Sequence, residues 1–183
     1  MSKLETNTID TVSGTTNLVI GSTNSSTVTF ESGAATGHMY PAFEAFISAN
    51  QDISNAVFSK VQANTEVYDT DSMYDNSTNY RFTPTISGKY YVYVNIRVTS
   101  SAVPDLLDSF ASIYKNGVNY KSAQHDPKNL QSAAQNIFTS AVVDMNGSSD
   151  FVEAYAYIQV SSGTPRLAPG TKSTSFGAYR IGA

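Results

Sequence analysis

From residue 41 onward, apolar and polar residues alternate with a period of two, the pattern of strands with one face buried. The clearest case is Tyr90 to Val98, where Tyr90, Val92, Val94, Ile96 and Val98 fall on one face. Tyr91, Tyr93, Asn95 and Arg97 fall on the other. Residues 151–160 repeat the design, with Val152, Ala154, Ala156, Ile158 and Val160 opposite Phe151, Glu153, Tyr155, Tyr157 and Gln159. The aliphatic faces predict core. The second faces are too aromatic for an ordinary solvated strand surface. If both strands share one sheet, Tyr91, Tyr93, Tyr155 and Tyr157 form a single outer patch suited to a subunit interface, because tyrosine buries a large area while its hydroxyl keeps a partner. The plainer reading is that tyrosine is simply a good strand former.

Other segments fit the same scheme. PAFEAFISA (41–49) predicts a first strand, FSKVQANTEVYD a second and third, TNYRFTP a short one, and ISGKYYVYVNIRVT a long one. Asn116-Gly117 predicts a tight hairpin inside SFASIYKNGVNYKSA. Asn146-Gly147 predicts another inside NIFTSAVVDMNGSSDFVEAYAYIQV, and STSFGAYRI closes the chain. Only SAVPDLLDSF carries a trace of helical spacing. Eight or more short strands at this spacing predict a β-sandwich or jelly roll.

Before the junction Gly37-His38-Met39-Tyr40-Pro41 the chain changes character. Residues 1–40 hold three small apolar islands, Ile9 with Val12, Leu18-Val19-Ile20, and Val28 with Phe30, spaced by Gly, Ser, Thr and Asn. So few apolar groups cannot offset the ordering entropy of such a segment alone. A floppy tail is one reading. The regular spacing favours an attachment leader that winds with its copies or docks on a larger partner through these islands. The domain division expected is therefore 1–40 and 41–183.

Composition narrows the function. Charged residues are 14% of the chain, the formal net charge is −4, and Lys and Arg are scattered singly. Without a basic cluster, nucleic-acid binding is not expected. No secretory signal and no membrane-spanning run is expected either. The absence of cysteine leaves packing or assembly to hold the fold. Acyl-transfer chemistry needs a base beside a nucleophile. The two histidines, His38 and His125, fall at the junction and in the expected loop AQHDPKN. No enzyme and no cofactor is expected. Asp69, Asp71 and Asp75 lie close enough in sequence to be weak candidates for a hard-cation site, although Tyr74 and Tyr80 stand where a helix–loop–helix calcium loop needs Gly and Glu. Turn formation explains those aspartates equally well.

Taken in order, Ala42-Phe43, Phe82 before Pro84, Gly88-Lys89-Tyr90-Tyr91, Tyr114-Lys115-Asn116-Gly117 and Phe176-Gly177 resemble the globular head of complement C1q and its tumour-necrosis-factor-like relatives. The resemblance spans residues 41–183 and implies a ten-strand jelly-roll β-sandwich that forms a three-fold trimer. It also implies that the sheet holding the central, penultimate core and final strands faces the trimer axis. Tyr179 of the last strand then joins the four tyrosines above. One departure is the turn before Phe151, where Asn146-Gly147 and Asp150 stand in for the family's Gly-Asp. The leader lacks a collagen-like Gly-X-Y period. It resembles the Thr/Ser/Gly-rich leaders that precede such heads in virion proteins of tailed bacteriophages. That implies a virion location, as a tail fibre, head fibre or capsid decoration, attached to other virion proteins by the leader and open to a host receptor or glycan. The competing expectations are a secreted ligand- or glycan-binding module and, less favoured, a depolymerase on the same scaffold.

Overall fold

A computed structural model describes residues 41–101, 106–127 and 132–182. The leader islands and His38 lie outside the described residues. Alternating residues fold into strands β1 (Ala42–Phe46), β2 (Gln51–Asp52), β3 (Ser59–Lys60), β4 (Thr65–Asp69), β5 (Tyr74–Asp75), β6 (Arg81–Phe82) and β7 (Gly88–Ser100). They continue as β8 (Leu106–Lys115), β9 (Val118–His125), β10 (Ala134–Met145), β11 (Val152–Val160), β12 (Pro165–Leu167) and β13 (Ser175–Gly182). The ten strands expected thus appear as thirteen segments among the described residues, five of them only two or three residues long.

Two antiparallel sheets pack face to face. The seven-stranded sheet runs β2–β12–β7–β13–β1–β4, with β10 also on β7. Tyr91 pairs with both Tyr179 of β13 and Val142 of β10, so those strands flank β7 on opposite sides. The six-stranded sheet runs β5–β6–β11–β8–β9, with β3 also on β11. The apolar faces of β7 and β11 meet between the sheets: Tyr90, Val92, Val94, Ile96 and Val98 are buried, as are Val152, Ala154, Ala156, Ile158 and Val160. At one end an aromatic cluster fills the core, with Phe43 stacked 4.5 Å from Tyr74 and 4.6 Å from Phe82, and edge-on to Phe176 at 4.9 Å. Burying these faces, at roughly 25 cal/mol per Å² of apolar surface, is the main source of stability.

Two local expectations are corrected. Asn116-Gly117 makes the hairpin between β8 and β9, both residues having positive φ (52° and 77°). Asn146-Gly147 does not make one: β10 pairs with β7, β11 pairs with β8, and the segment between them crosses from one sheet to the other. The side-chain oxygen of Asn146 accepts the backbone N–H groups of Ser148, Ser149 and Asp150, so the turn is closed on itself and not by a strand ladder. The trace of helical spacing in SAVPDLLDSF is also overridden, since Leu106 to Phe110 are the first residues of β8.

Candidate functional site

The placement of β7 and β11 in different sheets overturns the single tyrosine patch. Tyr91 and Tyr93 lie on the outer face of the seven-stranded sheet, while Tyr155 and Tyr157 lie on the outer face of the six-stranded one. Alternation dictates which side of a strand a residue takes, but not which sheet the strand joins. Two separate aromatic faces result.

On the first face, Tyr91 sits 6.2 Å from Tyr93 and 5.4 Å from Tyr179, ring centre to ring centre. Register adds residues that sequence reasoning missed. Phe138 pairs with Asn95 and Val142 with Tyr91, so both project on the same side as the tyrosines, and they are 55% and 48% exposed. Tyr68 pairs with Glu44 across β1 and β4 and is also exposed. The signal for Phe138 and Val142 was faint, because in Phe138-Thr139-Ser140-Ala141-Val142-Val143 the small residues between them blur the alternation.

The polar centre of this face is Glu44, whose Oε2 accepts a 2.6 Å hydrogen bond from the Tyr93 hydroxyl. Burial pushes the Tyr93 phenol well above the usual tyrosine range, and the hydrogen bond to the Glu44 carboxylate and its charge push the same way. Burial also raises the Tyr68 phenol. The Tyr93 ring lies over Gly177, where any Cβ would overlap it.

On the second face, Phe58 reaches Tyr157 at 5.2 Å, Phe110 at 5.6 Å and Tyr114 at 6.3 Å, and Tyr114 stacks on Tyr155 at 4.0 Å. Glu153, almost fully buried, is held by Lys60 Nζ at 2.5 Å, and that ammonium also lies 6.0 Å from the Tyr155 ring centre. Phe58 and Lys60 come from the irregular stretch around β3, so periodicity could not attach them to β11.

The aspartates do not gather. Asp75 accepts the N–H groups of Ser77, Thr78 and Asn79, and these bonds, those from Thr78 and Ser77 foremost, hold its carboxyl far below the ordinary range. Asp69 accepts the N–H of Tyr74 at 2.8 Å, and Asp71 is exposed. Among the described residues no three His, Asp or Glu side chains come together in a way that could hold a metal. His125, expected in a loop, ends β9. Ser109 Oγ bonds the His125 carbonyl and not its imidazole.

These two packed antiparallel sheets define a jelly-roll β-sandwich. Within that class the structural neighbours are complement C1q and tumour-necrosis-factor-family domains. The globular domain of zebrafish complement 1qA matches with TM-score 0.52 and 14% identity over 77% of this chain and 97% of that one. The Eiger TNF of S. frugiperda matches with TM-score 0.53 and 11% identity, covering 78% of this chain and 93% of its own. Murine APRIL matches with TM-score 0.53 and 10% identity, covering 76% and 98%. No family model matches the chain, and no curated protein sequence does.

Proposed function

We propose that the chain is a non-catalytic, trimeric recognition head, with the outer face of the seven-stranded sheet turned toward neighbouring subunits. The observation that carries this is the row Tyr91, Tyr93 and Tyr179 bordered by exposed Phe138, Val142 and Tyr68. An aromatic face of this kind is suited to burial between subunits. The likeness of the fold to the complement and tumour-necrosis-factor domains supports the same reading.

Sedimentation equilibrium tests it directly. The native chain sediments as a trimer. Tyr91→Asp, which puts an unpaired carboxylate into the contact at a cost of about 3–5 kcal/mol if buried, gives monomer or insoluble protein. Tyr155→Asp, in the other sheet, leaves the trimer intact. A monomeric native chain, or a Tyr91→Asp protein of unchanged mass, overturns the assigned face.

Residues 1–40 then serve as the attachment segment, through Ile9, Val12, Leu18, Val19, Ile20, Val28 and Phe30. The particle is assigned as a tailed-phage virion on the leader's resemblance alone. Co-purification with virions that is lost on deleting 1–40 supports this, and particles lacking the protein refute it. A second reading, a ligand- or glycan-binding module without a virion, is favoured by the second aromatic face around Phe58 and Tyr155.

A further inference from the structure

A cleft of about 300 Å³, lined chiefly by Asn50, Gln51, Asp52, Gln62, Asn64 and Tyr80, connects to the second aromatic face through Lys60. That volume is at the lower end of the ~300–1,000 Å³ usual for small-molecule sites. The lining is unusual in being dominated by side-chain amides. The Gln51 amide is held on both sides, donating to the Lys60 carbonyl at 2.8 Å and accepting from the Gln62 N–H at 2.9 Å. The Asn64 carbonyl accepts the Ser48 N–H at 3.0 Å, which leaves the amide NH₂ as a donor on the cleft wall.

Tyr80 enters the cleft from a backbone with φ of 49°, a region that tyrosine rarely adopts. Such conformations persist where the surroundings over-determine them, and they concentrate at binding sites. Here the preceding residue is pinned: Asn79 donates to Asp75 from both its N–H and its side chain, and its carbonyl accepts Lys60 Nζ at 3.0 Å.

Charge around the cleft is matched internally. Asp52 pairs with Arg166 at 2.5 Å, and Lys60 with Glu153 at 2.5 Å. An ionic ligand gains little where these charges already satisfy one another, whereas a neutral one does not depend on them. Lys60 borders both features, since its carbonyl holds the cleft's Gln51 and its ammonium lies beside the Tyr155 ring. Amide donors and acceptors with a tyrosine hydroxyl suit a ligand dense in hydroxyl groups. Aromatic rings alongside suit the apolar faces of its pyranose rings.

We propose that the amide-lined cleft and the adjoining belt of Phe58, Tyr155 and Tyr157 form a binding site for a neutral oligosaccharide, the cleft hydrogen-bonding one sugar while the belt stacks the next. The proposal rests on the recognition half of the reading above, and subunit assembly is scored separately in its test.

The test titrates the full chain by calorimetry and by tyrosine fluorescence with neutral hexasaccharides built from glucose, mannose, galactose or N-acetylglucosamine, and with a sulfated oligosaccharide as charged control. A neutral probe binds and the sulfated one does not. Gln62→Ala and Asn64→Ala, both at exposed positions, weaken binding about tenfold or more, as does Phe58→Ser. All three remain folded, with a single thermal transition, and keep the native mass in solution. Absence of binding by every neutral probe overturns the site. So does binding only of the sulfated probe, or binding that all three variants retain. A mass that drops on Phe58→Ser alone assigns the belt to a second copy of the chain and likewise overturns the site. A native chain that sediments as a monomer yet binds a neutral probe through these residues refutes the trimer and leaves the saccharide site standing.

Discussion

At the scale of single residues, this fold places Tyr90 and Tyr93 in different environments, and the environments set their behaviour. Tyr90 has its ring in the core and its hydroxyl donating to the Ile86 carbonyl at 2.7 Å. Burial pushes its phenol from 10.0 up to about 12. A phenol whose folded value is raised contributes stability that is complete below its unfolded value near ~10. That stability is lost as pH rises toward and through the folded value. Alkaline titration followed at 295 nm, a phenolate absorption band, is therefore expected to show tyrosine ionisation delayed in the native chain and released together with unfolding. Tyr90→Phe, which cannot ionise, flattens the alkaline loss of stability. Tyr93 depends instead on what lies beneath it. Gly177→Ala forces the Tyr93 ring off the sheet and lowers stability by about 1–3 kcal/mol, the usual cost of overpacking. In a urea double-mutant cycle, Gly177→Ala and Tyr93→Ser together cost less than the sum of the two alone.

At the scale of elements, the joint between the β8–β9 hairpin and the sheet-crossing segment turns on Asp150. Its carboxylate accepts from Asn116 Nδ2 at 2.8 Å and from Asn146 N at 3.1 Å, and pairs with Lys115 Nζ at 2.9 Å. The Asn116 bond, with Lys115 next, holds the carboxyl below its ordinary range. A depressed carboxyl stabilises fully above its unfolded value, near ~4, and that contribution disappears as pH falls through the folded one. Asp150→Ala thus lowers the urea stability by about 1–3 kcal/mol at neutral pH. The gap to the native chain narrows only in acid below the usual carboxylate range. A gap that is unchanged in acid means the carboxylate charge plays no part. Of these contacts only the Asn-Gly turn was legible beforehand. The same dipeptide at Asn146-Gly147 misled, because a turn signal describes local backbone and says nothing about the partner each flanking strand will choose.

For the whole molecule, the two sheets are joined by the aromatic cluster around Phe43, which touches rings from β5, β6 and β13. Phe43→Ala is expected to cost about 3–5 kcal/mol, a large share of the ~5–15 kcal/mol that separates folded from unfolded domains. Thermal melting of this variant shows a single transition at much lower temperature. Two transitions would mean that the sheets unfold independently.

By itself the sequence determined the all-β class, the core faces of β7 and β11, and the turn at Asn116-Gly117. These are properties of period and of local backbone preference, carried by neighbouring residues. Tertiary structure alone decided that β7 and β11 belong to different sheets, and so that Tyr91 and Tyr155 look out on opposite sides. It also brought Phe58 onto Tyr157, and seated Gln51, Asn64 and Tyr80 around one cleft. Pairing between strands distant in the chain is chosen by the fit of the whole core, and no short window of residues contains that information.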